Sequence, residues 1–154
     1  MVPGTVSDPD SNAVELGVKF RSTVAGTVTA VRFYKGSRNT GTHTGHLWSS
    51  TGALLGTVKF TNETSSGWQV ATFSTPIPVQ ANTTYIVSYY SPYGHYSDNL
   101  NYFNSAVTNG VLTALKSGTD GPNGVYAYGQ SGSFPNKTWN ACNYWVDVVF
   151  VPSK

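Results

Sequence analysis

The chain has 154 residues, of which 14% are aromatic and only 10% charged, and its formal net charge is +2. Its nine Lys and Arg are scattered, which excludes the clustered basic footprint of a nucleic-acid binder. No apolar stretch is long enough to cross a bilayer as a helix, so membrane insertion is not expected.

Residues 1–12, with Pro3, Gly4, Pro9 and two Asp, read as a linker or N-terminal arm. Residues 13–154 read as a single β-sandwich domain. Met1 leads directly into polar residues, and the chain is expected to be a piece of a longer parent protein. Ala13 to Phe20 sets Val14, Leu16, Val18 and Phe20 on one face and Glu15, Gly17 and Lys19 on the other, the period of a half-buried strand. Further strands are predicted over Gly26 to Tyr34, Thr44 to Ser49, Ala53 to Phe60, Ser66 to Ser74 and Thr83 to Ser91. Trp48 and Trp68 sit in alternating strands and are expected in the core. Pro76 and Pro78 should end the pairing of the fifth strand. Residues 92–143 are polar, aromatic and Gly-rich, with short apolar pieces at Leu100 to Phe103, Val111 to Leu115 and Gly124 to Tyr128. Val111 to Lys116 has the length of one helical turn. Asn143 to Val151 is apolar on both faces and should lie centrally in a sheet. The fold class expected is all-β: an antiparallel sandwich, jelly-roll or immunoglobulin-like, with a long aromatic loop layer over about residues 91–143.

Few side chains offer catalysis. Cys142 is the only cysteine, so no internal disulfide is possible, and no base partner or cationic setting accompanies it. Glu15 on an outer strand face and Glu63 in a turn are expected to be solvated. A glycosidase needs two facing carboxylates, and no such pair can be read from the chain. His43 and His46 are three apart, which sends them to opposite faces of a strand, so they are expected as surface polar residues and no metal ligands are assigned. A structural calcium ion is possible in such a domain: Asp8, Asp10, Asp98, Asp120 and Asp147 are the available acids, and Asp120 to Gly124 is a tight turn.

The aromatic excess points to binding. Tyr offers a flat apolar face and a polar hydroxyl, which suits stacking on sugars. The candidate ligand-binding residues are Tyr93, His95, Tyr96, Asp98, Asn123, Tyr126, Tyr128 and Trp139, in the segments least expected to be core. Gly94 and Gly129 permit tightly turned backbone beside them.

Several runs carry a family resemblance: Val14 to Phe20, Gly26 to Lys35, Gly41 to Trp48, Gly67 to Phe73, Asn82 to Tyr85, Gly94 to Ser97 and Asn143 to Phe150. Over roughly residues 13–151 the chain resembles an uncharacterised domain family, a domain of unknown function. Members occur in large secreted bacterial proteins beside immunoglobulin-like and fibronectin-like domains. The resemblance implies a β-sandwich accessory module and carries over no catalytic or binding residues. Together with the aromatic loops, it leads to one expectation: a non-catalytic carbohydrate-binding or adhesion module, secreted or at the cell surface. Its partner would be a polysaccharide or cell-surface glycan, and its neighbours other domains of a longer chain. The alternative is a structural spacer or protein–protein interaction domain without a sugar site.

Overall fold

Period-two alternation of apolar side chains builds two antiparallel sheets that pack face to face as an all-β sandwich. The computed structural model describes residues 1–154. Eleven strands follow in chain order: β1 (Val14–Ser22), β2 (Gly26–Lys35), β3 (Thr44–Ser49), β4 (Leu54–Lys59), β5 (Gly67–Val79), β6 (Tyr85–Ser91), β7 (Val107–Asn109), β8 (Leu112–Ala114), β9 (Val125–Tyr128), β10 (Lys137–Thr138) and β11 (Val146–Pro152). One turn of 3₁₀ helix covers Tyr102–Asn104, and no helix is long and apolar enough to cross a membrane. The larger sheet runs β10-β9-β1-β6-β3-β4, with β8 also on β1 and β7 on β8; the smaller runs β11-β2-β5.

Val14, Leu16, Val18 and Phe20 of β1 face Tyr85, Val87 and Tyr89 of β6 across the ladder, and all are buried. Opposite them, Phe33 of β2 stacks on Tyr89 with ring centroids 4.1 Å apart and meets the edge of Phe60 at 4.9 Å. These rings tie the two sheets together at one end of the core.

The structure corrects several expectations. Trp68 is not core: Gln69, Ala71 and Phe73 turn inward on β5, and Trp68 lies on the outer face, 37% exposed, under the Arg32 guanidinium at 4.5 Å. Trp48 is buried, but on the outer face of the larger sheet, in a small cluster with Ile86, Val125 and Phe134. β5 runs on through Pro76 and Pro78 because it is an edge strand, paired only with β2, where a missing N–H is tolerated. The prolines still leave a mark, since the register slips between Val28 and Ala30. β11 is also an edge, not a central strand, so Val149 and Val151 of its second apolar face stay exposed. Part of the long loop is strand: β7 to β10 lie within it, and Leu112–Ala114 pairs with both β7 and β1 instead of making a helical turn. The remainder forms the aromatic loop layer. Its segment around Gly132 and Phe134 closes over the outer face of the larger sheet.

The arm is no free linker. The Thr5 N–H donates to the Asp98 carbonyl at 3.0 Å, the Thr5 carbonyl accepts the Asp98 N–H at 2.9 Å, and the Asp8 N–H donates to the Tyr96 carbonyl at 2.9 Å. The first dozen residues therefore add an extended edge along residues 95–98.

Candidate functional site

Two histidine–glutamate pairs that the sequence placed in solvent are interior. His43 is fully buried against Phe33 and Tyr89, with its ring nitrogens 2.7 Å from Glu63 Oε1 and 2.7 Å from Asn39 Oδ1. Burial drives its pKa down more than the Glu63 charge raises it, so the ring is held neutral. Glu63 also takes Lys35 Nζ at 3.1 Å. On the other side of the sheet, Glu15 is fully buried and contacts His46 Nδ1 at 2.8 Å, while the Ser88 hydroxyl donates to it at 2.7 Å. The Gly132 N–H of the loop segment above donates to Glu15 Oε1 at 3.3 Å. The two histidines share no ligand, and no group of three or more His, Cys, Asp or Glu side chains is placed to hold a metal ion. At the Asp120 turn the oxygens already have cationic partners: Lys19 Nζ donates to its carbonyl at 2.7 Å, and Arg21 approaches its carboxylate at 3.5 Å.

Five of the eight candidate residues, Tyr96, Asp98, Tyr126, Tyr128 and Trp139, line one cavity of about 400 Å³. Three do not. Tyr93 is exposed beside Gly41, away from the cavity. His95 braces the arm, its Nδ1 2.8 Å from the Asp8 carbonyl. Asn123 is fully buried: its Oδ1 accepts the Lys19 N–H at 2.8 Å, and its Nδ2 donates to the carbonyls of Lys19 and Leu115 at 3.1 and 2.8 Å. It fills the gap on one edge of β1 between the end of β9 pairing at Gly17 and the start of β8 pairing at Phe20, while β6 continues along the other edge. Asn123 is thus a strut of the sheet and no ligand contact.

The cavity is assembled from three directions. β9 sends Tyr126 and Tyr128, two residues apart, to the same side, with their rings edge to face at 5.4 Å. Tyr144 packs against Tyr126 at 6.4 Å and against Tyr96 at 5.6 Å, which gives a continuous chain of rings. Trp139, 59% exposed, stands at the rim, just before the left-handed residues Asn140 and Ala141 that reverse the chain. From the arm come Asp8 and Asp10, which the sequence reading assigned no role at the site. Gly94 makes that approach possible, since it holds a positive φ and a Cβ there would collide with the Asp10 carbonyl.

Asp10 Oδ2 accepts the Tyr128 hydroxyl at 2.7 Å and the Tyr96 hydroxyl at 3.1 Å. Burial pushes its carboxyl up, but these bonds and those from Asn12 outweigh it and hold Asp10 below the usual range. Asp98 goes the other way. Burial first, and then the Asp8 charge, push it up to about 6. A side-chain hydrogen bond from Thr5 pulls the other way, and the Cys142 thiol approaches the carboxylate at a long 4.0 Å. Burial and Asp98 in turn push that thiol up to about 12, which makes Cys142 a packing residue with no accessible thiolate. Asp8, Asp10, Leu100, Cys142 and Tyr144 complete the lining and were not among the ligand-binding candidates of the sequence. A second cavity of about 390 Å³ opens between the sheets beside β11, but its walls are largely apolar core side chains such as Val18, Phe20 and Val87, and it offers a polar ligand little.

A family model described as Domain of unknown function (DUF4082) matches residues 1–146, which takes in the arm as well as the sandwich. No curated protein matches the chain.

Proposed function

The chain belongs to that DUF4082 family, and from this premise we propose that it is a non-catalytic carbohydrate-binding module, working at the cell surface or outside the cell as part of a larger bacterial protein. One observation carries the reading. Tyr128 and Trp139, 48% and 59% exposed, flank a cavity whose polar lining is carboxylates and phenol hydroxyls. Aromatic faces take the C–H face of a sugar ring, and carboxylates accept hydrogen bonds from its hydroxyls, so the two together orient a pyranose. The cavity volume falls within the ~300–1,000 Å³ span of small-ligand sites. A single site of this kind binds weakly, and retention on a polysaccharide comes from repetition of the module or of the ligand.

The test is a glycan array on the isolated domain, followed by incubation of any bound glycan with assay of new reducing ends. Retention of a glycan without chain cleavage supports the reading. Cleavage would make the module an enzyme, for which Asp10 and Asp98, driven in opposite directions, would serve as base and acid. Silence across the array would leave the spacer or protein-interaction role.

A further inference from the structure

We propose that the second cavity, of about 390 Å³ beside β11, binds a small, uncharged, largely hydrocarbon molecule. This site stands apart from the carbohydrate site and does not depend on it. The cavity exists because the two sheets are unequal. The smaller sheet ends at β11, while the larger continues past β1 to β8 and β7. Val18, Phe20 and Val87 of the larger sheet therefore meet Val146 and Val148 of β11 across a space that no further strand fills, and Leu112 and Ala114 of β8 close one side of it.

The chemistry of the walls selects the ligand. Protein interiors pack closely and leave few voids larger than a water molecule. Water gains little between apolar walls: a cavity of about 150 Å³ lined by aliphatic and aromatic side chains stays dry and takes up benzene. This one is larger, and its deep wall is core side chains. Its charges offer no hold to an ion. Arg32 and Asp147 are the charged side chains that line it, and they pair with each other at 2.7 Å. The remaining Asp147 oxygen accepts the Val148 N–H at 2.8 Å. The mouth is aromatic, since Trp145 lies between Tyr102 and Trp68 with ring centroids 5.8 and 6.3 Å away. Met1 also reaches the mouth, but it is 90% exposed, with the Tyr102 hydroxyl donating to its sulfur at 3.4 Å, so it is no plug. The two cavities are separate. Along the paired residues 99–103 and 140–145, side chains alternate: Leu100, Cys142 and Tyr144 line the first cavity, and Tyr102, Asn143 and Trp145 the second.

Titration with N-phenyl-1-naphthylamine, an uncharged dye that brightens in apolar surroundings, tests the assignment. The dye should brighten on the parent. Straight-chain alcohols should displace it, each added CH₂ tightening the alcohol about fourfold until the cavity is full. Ala114→Phe, which puts a ring into the space, should abolish dye binding. Tyr93→Ala, which removes an exposed ring outside both cavities, should leave it unchanged. Should Ala114→Phe fail to fold, methyl resonances of the parent serve instead: those of Val18, Val87 and Val148 must shift as alcohol is added, and those of Val14 and Val79 must not. Absence of brightening, displacement indifferent to chain length, or a folded Ala114→Phe that binds dye as the parent does overturns the proposal. So does a parent that sediments as a dimer and excludes the dye while Ala114→Phe is a monomer, because a second copy then covers the cavity.

Discussion

The Tyr128 hydroxyl donates to Asp10 Oδ2 at 2.7 Å, joining two residues 118 positions apart. Through this bond, and the parallel one from Tyr96, the N-terminal arm becomes a wall of the cavity and ceases to be a tether. The arm's backbone bonds to residues 95–98 run alongside. Asp10→Ala removes the acceptor of both phenols. A hydrogen bond to a charged group is worth about 1.5–3 kcal/mol when shielded and less at a half-open site, so a loss of about 1–2 kcal/mol is expected. At about 2–4 °C per kcal/mol for a domain of this size, thermal melting should drop by several degrees. Faster amide exchange at Asp8 and His95 should accompany it, and an unchanged melting temperature with unchanged exchange would show that the arm is not held by these bonds.

The outward placement of Trp68 sets a contrast between two tryptophans. Trp48 is 4% exposed, with its Nε1–H donated to Ser88 Oγ at 2.8 Å. Trp48→Ala should cost about 3–5 kcal/mol, the scale of a buried large aromatic. Trp68→Ala should cost only about 1 kcal/mol, the loss of partial burial and the Arg32 contact. Equal losses in chemical denaturation would contradict the assignment of faces on β5.

Asp98 makes stability depend on pH in an unusual direction for a carboxylate. Its folded pKa of about 6 lies above the ordinary value of 3.8, so between those values the folded state holds a proton that the unfolded chain has released. Stability from this group is therefore present at low pH and is lost as pH rises through 6. His43 acts oppositely: its folded pKa lies below 6.5, so its contribution is present above that value and is lost as pH falls through its folded pKa. The difference between parent and Asp98→Asn melting curves isolates Asp98. That difference should change between pH 4 and pH 6 in favour of the parent at the acid end, and a flat difference would contradict the raised pKa of Asp98.

Cys142 is fully buried with its pKa pushed up to about 12. The folded domain should resist a thiol reagent at mildly alkaline pH and react at once in denaturant. Rapid labelling in native buffer would mean that the cavity wall opens.

Much of this architecture is written in the alternation itself. β3 spans the residues that the pattern predicts, and the inward set of β1 and β6 follows from one apolar and one mixed face. The phase of β5 is not written there, because Trp68 and Val70 are as apolar as Ala71 and Phe73, and the inward turn of Gln69 depends on the loop that its amide bonds at Thr64. Glu15 and the two histidines look solvated in sequence because what packs on them, the loop at Gly132 beside Glu15 and His46 and the Tyr89 ring beside His43, arrives from far along the chain. The same holds for the site. The tyrosines and Trp139 betray themselves locally, as rings among Gly, Ser and Asn. Asp8 and Asp10 join them only through strand-like pairing of the arm, and Asn123 sits among the same residue types while serving β1.

The most direct test of the carbohydrate account is affinity electrophoresis of the parent and Trp139→Ala through gels containing the glycan retained best on the array. Trp139 is exposed and packs in no core cluster, so its removal should leave the melting temperature unchanged. The account predicts that the parent is retarded and that Trp139→Ala loses most of the retardation, a several-fold fall in affinity matching about 1 kcal/mol of stacking. Equal retardation of the two proteins would contradict it and place the glycan elsewhere on the domain.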